Sequence, residues 1–190
     1  MGDPAAGSPA FCRALETLAI AYHEAGHAVA QLLVCPALPL TNASIAPEGD
    51  EFGRACFENY AETIVPDADG EDADMPEHER QYLESEAISL LAGPLAEQRF
   101  CGQTLEPPLP GSARTDQADV TDIAHLLHDD RRVARAWVGS MLRRAIDLVQ
   151  NDGRFWPAVK AVAAALLREQ TLTSDEISTL VHETTERTRR

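Results

Sequence analysis

The sequence contains few basic and few aromatic residues. Its 190 residues include 16 Lys and Arg against 31 Asp and Glu, which gives a formal net charge of -15 at pH 7, and aromatic residues make up 5% of the chain. Such an acidic surface repels phosphate backbones and anionic lipids, because these carry charge of the same sign. Nucleic acid and membrane surfaces are therefore not expected as partners.

Several targeting and cofactor patterns are missing as well. The four cysteines include no C-x-x-C pair, which is typical of reduced thiols in a cytosolic protein. Residues 1–6 lack both the basic region of a secretion signal and the pattern for N-myristoylation. The longest uncharged run, residues 25–47, contains His27, Pro36 and Pro39 and does not suit a membrane span. Neither common glycine-rich phosphate-binding motif occurs, so the sequence predicts no nucleotide site. The cysteine pattern and the lack of a secretion signal predict a cytoplasmic location.

The overall composition is that of a globular domain, with 44% hydrophobic and 25% charged residues. We predict a single domain over residues 1–190, mainly α-helical, with a small β-hairpin. A chain of this length buries about 70% of the surface that its unfolded form exposes, so it needs no metal merely to fold. Any metal that it binds is therefore expected to be functional.

The spacing of apolar residues predicts about six helices. The first is expected over Pro9–Val34, where apolar residues recur at alternating steps of four and three, and Pro36 and Pro39 end it. Residues 43–46 and 52–57 flank a Pro-Glu-Gly-Asp turn, which predicts the hairpin.

The remainder of the chain is predicted to alternate between loops and helices. Residues 62–77 are too acidic to bury and too rich in Pro and Gly for a helix, so they predict a mobile loop within the domain. A second helix is expected from His78, with a kink or restart at Gly93-Pro94. Thr115 or Asp116 is expected to cap a third helix. Further helices are expected over residues 130–149 and 154–170, and after a capping box at residues 173–176.

The first predicted helix contains an H-E-x-x-H motif, His23-Glu24-Ala25-Gly26-His27. Positions i and i+4 lie on one face of a helix, so both imidazoles can reach one metal ion. Hydrolytic zinc sites use three protein ligands and keep a position for water, whose proton Glu24 is placed to accept. The alternative is a chance match, but a buried pair of histidines with a glutamate is costly unless something such as a metal partners them.

The third ligand separates the classes of H-E-x-x-H protein. The metzincin extension requires Gly and His where this chain has Ala30 and Leu33, so that class is excluded. A glutamate on a later helix would give a thermolysin-like site, and the periodicity alone allows Glu84 or Glu86. An intramembrane protease would need membrane spans that the sequence lacks.

The segment around the motif, Tyr-His-Glu-Ala-Gly-His-Ala, resembles the active-site helix of the FtsH-type ATP-dependent zinc metalloproteases. The resemblance extends over most of residues 15–181. Similar segments are Ser44 to Pro47 with Phe52-Gly53, Leu91 to Glu97 with proline where arginine is common, Asp116 with Thr121 to Ala124, and residues 166–177.

The resemblance implies zinc ligands His23, His27 and Asp116, with Glu24 as general base. The same Asp116 has a second interpretation as a helix cap without any metal. Glu97 is expected either to orient a ligand imidazole or to be a solvated helix residue. His125 and His128 are expected either to support an oxyanion or to lie on a plain helix surface.

The resemblance implies a zinc metallopeptidase that cuts unfolded or flexible polypeptides. FtsH proteins carry a membrane segment and an AAA ATPase module, and this chain contains neither, so we expect ATP-independent cleavage by the chain itself. A separate ATPase or a homo-oligomer is a candidate partner, and an edge strand within residues 43–57 is expected to align the substrate. The alternatives are a catalytically inactive zinc-binding interaction or regulatory module with the same fold, and a metal-free helical domain.

Overall fold

The computed structural model describes residues 9–35, 39–48, 51–57, 75–107 and 109–188. Within these ranges the chain forms six α-helices and one three-stranded sheet, which confirms the predicted mainly α-helical fold with a small hairpin. In chain order the elements are α1 (Pro9–Val34), β1 (Leu40–Glu48), β2 (Glu51–Phe57), α2 (Glu77–Phe100), α3 (Arg114–Leu127), α4 (Arg131–Asn151), α5 (Phe155–Glu169), β3 (Thr171–Thr173) and α6 (Ser174–Thr188). None of the described helices is long and apolar enough to cross a membrane.

Helix α1 lies in the core and packs mainly against α2 and α5. Its second half is lined with small side chains, and Ala21, Ala25 and Ala28 are fully buried. At the crossing with α2, a Cβ added to Gly26 would lie 2.7 Å from the Cβ of Ala96. The two helices therefore meet almost backbone to backbone, at the level of the H-E-x-x-H motif.

The sheet has the order β2-β1-β3, and both pairings are antiparallel. Strands β1 and β2 form the predicted hairpin, with Ala43 opposite Ala55. The third strand was not predicted. It follows Gln170, which has a φ of 64° and whose carbonyl accepts a hydrogen bond of 2.8 Å from the backbone N–H of Ile45. A positive φ is expected at Gly or Asn, so Gln170 gave no signal that α5 ends in a turn into a strand.

Of the kink or restart predicted at Gly93-Pro94, the restart does not occur, because α2 continues through both residues as one helix. Pro94 has no N–H for the helix ladder, but it lies in a buried stretch of α2. Most of the stability of helices in proteins comes from such tertiary packing. The predicted acidic loop falls mostly on residues 62–74, which lie outside the described residues. Its last position, Glu77, already belongs to α2.

The predicted cap of the third helix is wrong. A 3₁₀ turn at Gly111–Ala113 leads directly into α3, so Ala113 occupies the N-cap and Asp116 lies inside the first turn. The predicted capping box of the last helix is present: the backbone N–H and the hydroxyl of Thr173 both donate to Glu176 Oε2 at 2.8 Å.

Candidate metal centre

Three side chains from two helices, α1 and α3, converge at one place. His23 and His27 lie one turn apart on the buried side of α1, with 7% and 5% of their surface exposed. Asp116 reaches them from the first turn of α3. One potential ligand atom from each of the three residues lies within 4.8 Å of the other two. Among the described residues, this is the group whose geometry could hold a metal ion.

The facing atoms are the Nε2 atoms of the imidazoles and the two oxygens of the carboxylate. His23 Nε2 lies 3.3 Å from Asp116 Oδ2, and His27 Nε2 lies 3.5 Å from Asp116 Oδ1. The two Nε2 atoms are 3.0 Å apart. Asp116 Oδ2 is buried with no well-aligned hydrogen-bond partner among the described residues. Two imidazole nitrogens and a buried carboxylate oxygen are a donor set that fits zinc.

The outer nitrogen of each imidazole is also held. His23 Nδ1 donates to Glu97 Oε2 at 2.9 Å, and His27 Nδ1 donates to the backbone carbonyl of Ser89 at 2.9 Å. Metal-bound histidines are usually oriented in this way, because a donating Nδ1–H leaves the Nε2 lone pair for the metal. Of the two interpretations of Glu97, this geometry favours the orienting one.

Burial and charge oppose each other at these groups. Burial alone lowers the pKa of His23, but the carboxylates of Asp116, Glu97 and Glu24 outweigh it and raise the pKa to about 10. For His27 burial prevails and lowers the pKa. Burial would raise the pKa of Asp116, but the two imidazoles lower it below its usual value. In the protein without a metal, the carboxylates therefore stabilise a positive charge on His23. A metal cation bound at this place would carry charge of the same sign.

Glu24 lies beside the first histidine and is itself buried, with 6% of its surface exposed. Its charge contributes to the raised pKa of His23, which shows that the two side chains are electrostatically close. The other candidates from the sequence are not members of the three-residue group. Neither Glu84 nor Glu86 belongs to the metal-binding group, and His125 and His128 do not belong to it either.

Two residues at the site were not predicted from the sequence as site residues. A Cβ added to Gly93 of α2 would lie 2.3 Å from His27 Nε2, so the imidazole packs directly on the glycine backbone. Ser112 donates from its hydroxyl to Glu97 Oε2 at 2.7 Å. In the sequence, Gly93 signals a possible helix break and belongs to the segment that resembles the family, but neither observation gives it a role at the site, and no motif distinguishes Ser112.

An H-E-x-x-H helix with an aspartate close to both imidazoles defines the class of zinc-dependent hydrolases of the H-E-x-x-H type. Within that class, the sequence profile of "Peptidase family M41" matches residues 11–129, and the chain belongs to this family. This confirms the family resemblance. At the family level the protein is a zinc metallopeptidase, and zinc is the metal that this family uses.

One similar protein is the "ATP-dependent zinc metalloprotease FtsH 3" of Conexibacter woesei. The two sequences are 27% identical over 161 residues, which cover 85% of this chain and 18% of that protein. The chain therefore spans less than a fifth of the length of this curated relative.

Proposed function

We propose that the chain hydrolyses peptide bonds in unfolded or flexible polypeptides, without ATP hydrolysis of its own. Zinc is held by His23, His27 and Asp116, and Glu24 is the general base. The observation that carries the proposal is the convergence of three ligand atoms within 4.8 Å of one another, beside a buried glutamate.

Each residue has a separate task in this reaction. Zinc bound here supplies a Lewis acid that polarises a carbonyl oxygen and acidifies water. The Glu24 carboxylate accepts the proton of the attacking water and passes it to the nitrogen of the leaving amine. Because this carboxylate is shielded from bulk solvent, its charge acts in a medium of low dielectric constant.

The supporting residues fix the direction of the ligand lone pairs. Glu97 and the carbonyl of Ser89 accept the Nδ1–H bonds of His23 and His27, which supports a role for both in orienting the imidazoles. Asp116 neutralises positive charge between the two rings.

The sheet supports an extended substrate. Strand β2 lies at one edge of the described sheet, whereas β1 lies between β2 and β3 and pairs with β3 at residues 42–44. Extended peptides add to such an edge through backbone hydrogen bonds, with little dependence on side-chain identity. Of the two strands within residues 43–57, we propose β2 (Glu51–Phe57) as the one that aligns the substrate. A polypeptide must be locally unfolded to pair in this way.

Delivery of folded substrates requires a partner. The relative from Conexibacter woesei is described as ATP-dependent. For this chain we propose that a separate ATPase, or a homo-oligomer that forms a shared chamber, delivers substrates that are not already unfolded.

Zinc content and cleavage measured on the same samples test the proposal. We expect about one zinc per chain in the wild type, cleavage of a labelled unfolded polypeptide without ATP, and loss of both in Asp116→Ala. The matched control is Asp122→Ala, since Asp122 is an exposed aspartate on the same helix. A wild type that cannot be loaded with zinc contradicts the proposal. A zinc-loaded wild type without cleavage favours a catalytically inactive zinc-binding module.

A further inference from the structure

We propose that Ser112 is a positioning residue of the metal centre, which holds Glu97 in place behind His23. The inference rests on the zinc site of the proposed function, and it assigns a role to a residue outside the H-E-x-x-H motif.

A single carboxylate oxygen joins the three side chains. Glu97 Oε2 accepts from His23 Nδ1 at 2.9 Å and from the Ser112 hydroxyl at 2.7 Å. Both distances are those of good hydrogen bonds to a charged acceptor. Two donors on one oxygen fix the carboxylate more narrowly than the imidazole alone.

The position of Ser112 in the fold gives this bond a second consequence. Ser112 lies in the 3₁₀ turn that immediately precedes α3, and Asp116 follows four residues later. Glu97 belongs to α2, and His23 to α1. The hydroxyl therefore connects the segment that carries the aspartate to the glutamate that orients the first histidine.

The side chain of Glu97 needs such a restraint. It is 16% exposed, so solvent can reach it, and a glutamate has several rotatable bonds. When the serine hydroxyl is removed, Oε2 keeps only the bond to His23, and water can compete for the carboxylate. The imidazole is then less well oriented, which weakens metal binding.

The test is the zinc dissociation constant, measured by competition with a chromophoric chelator. We expect Ser112→Ala to weaken zinc binding roughly three- to tenfold, less than the 10–100-fold typical of losing a direct partner, which is the range expected for Glu97→Ala. Ser112→Thr keeps a hydroxyl and is expected to restore the affinity. The control is Ser85→Ala, because the Ser85 hydroxyl bonds only to the carbonyl of Gln81 in its own helix among the contacts described.

A double substitution separates positioning from a general structural effect. If Ser112 acts through Glu97, adding Ser112→Ala to Glu97→Ala changes the affinity by no more than about twofold, the scatter of independent measurements. The melting temperature in excess chelator is expected to be unchanged in Ser112→Ala, because the residue is exposed and outside the core.

The outcomes are distinct for the two proposals. Unchanged zinc affinity in Ser112→Ala overturns the positioning role, as does an equal loss with and without Glu97. A wild type that binds zinc and shows the serine effect but does not cleave polypeptides overturns the peptidase proposal alone. A wild type that binds no zinc overturns both.

Discussion

His27 contacts residues of two other helices, α2 and α3. Its Nε2 faces Asp116, its Nδ1 donates to the carbonyl of Ser89, and the ring packs against the backbone of Gly93. A methyl group at position 93 would come within 2.3 Å of Nε2, much closer than two atoms can approach. The ring must then move away from the position from which it faces Asp116.

We therefore predict that Gly93→Ala lowers zinc affinity at least about tenfold, as expected when a ligand is displaced from its geometry. Gly139→Ala is the control, because Gly139 is also helical and the nearest atom that an added Cβ would meet is 3.8 Å away. Chelator competition measures both variants. Equal zinc affinity in Gly93→Ala and wild type would contradict the packing described here.

At the residue scale, the sequence predicts those site residues that lie close together along the chain. The spacing of His23, Glu24 and His27 is a property of one helix, so the motif brings them together without knowledge of the fold. Asp116 is 89 residues beyond His27 in the numbering, and only the family resemblance suggested it. Gly93 packs against His27 where α1 and α2 cross, and the Ser112 hydroxyl reaches Glu97 from the turn before α3; contacts between such distant segments leave no periodic signal.

At the scale of the elements, the close crossing of helices α1 and α2 brings the site residues together. Gly26 allows it, since an added Cβ would lie 2.8 Å from the carbonyl oxygen of Ala92 and 2.9 Å from the Cα of Gly93. Backbone atoms cannot shift aside as a flexible side chain does, so the two helices would have to move apart if residue 26 carried a Cβ.

We predict that Gly26→Ala destabilises the fold by about 1–3 kcal/mol, the usual cost of overpacking. Gly139→Ala, whose added Cβ would lie at an ordinary contact distance of 3.8 Å from Arg143, is predicted to stabilise it by about 0.5–1 kcal/mol through the better helix propensity of alanine. Urea unfolding in the presence of chelator measures both without a contribution from zinc. A Gly26→Ala variant as stable as the wild type would show that the helices are not in close contact.

Element boundaries were predictable where local chemistry sets them. The first helix spans the predicted residues because Pro36 and Pro39 follow it, and the capping box marks the last helix. Strand β3 was missed because three residues are too short for a pattern and because Gln170 adopts a positive φ. The start of α3 was misplaced because the preceding 3₁₀ turn continues the helix, leaving the Asp116 side chain directed at the histidines.

At the scale of the whole molecule, we expect the core to form without a bound metal. The largest fully buried side chains include Phe155, Leu83, Leu95 and Leu166. A 190-residue chain buries enough apolar surface to fold without metal. Zinc then adds stability only by binding the folded state.

We predict that chelation lowers the melting temperature while the helical circular dichroism at 25 °C remains. The stabilisation by zinc is expected to be about 2.7 kcal/mol at a free zinc concentration of 100 times the dissociation constant. Thermal melts with added zinc and with chelator measure the difference. Loss of the helical signal on chelation would mean that the metal is structural.

The measurement that tests the account most directly is polypeptide cleavage by zinc-loaded Glu24→Gln. We predict that the variant binds zinc like the wild type but cleaves an unfolded polypeptide about 10²–10⁴-fold more slowly, because the amide cannot accept the proton of water. Glu16→Gln, an exposed position on the same helix, is predicted to cleave normally. Cleavage at the wild-type rate by zinc-loaded Glu24→Gln would contradict the proposed mechanism.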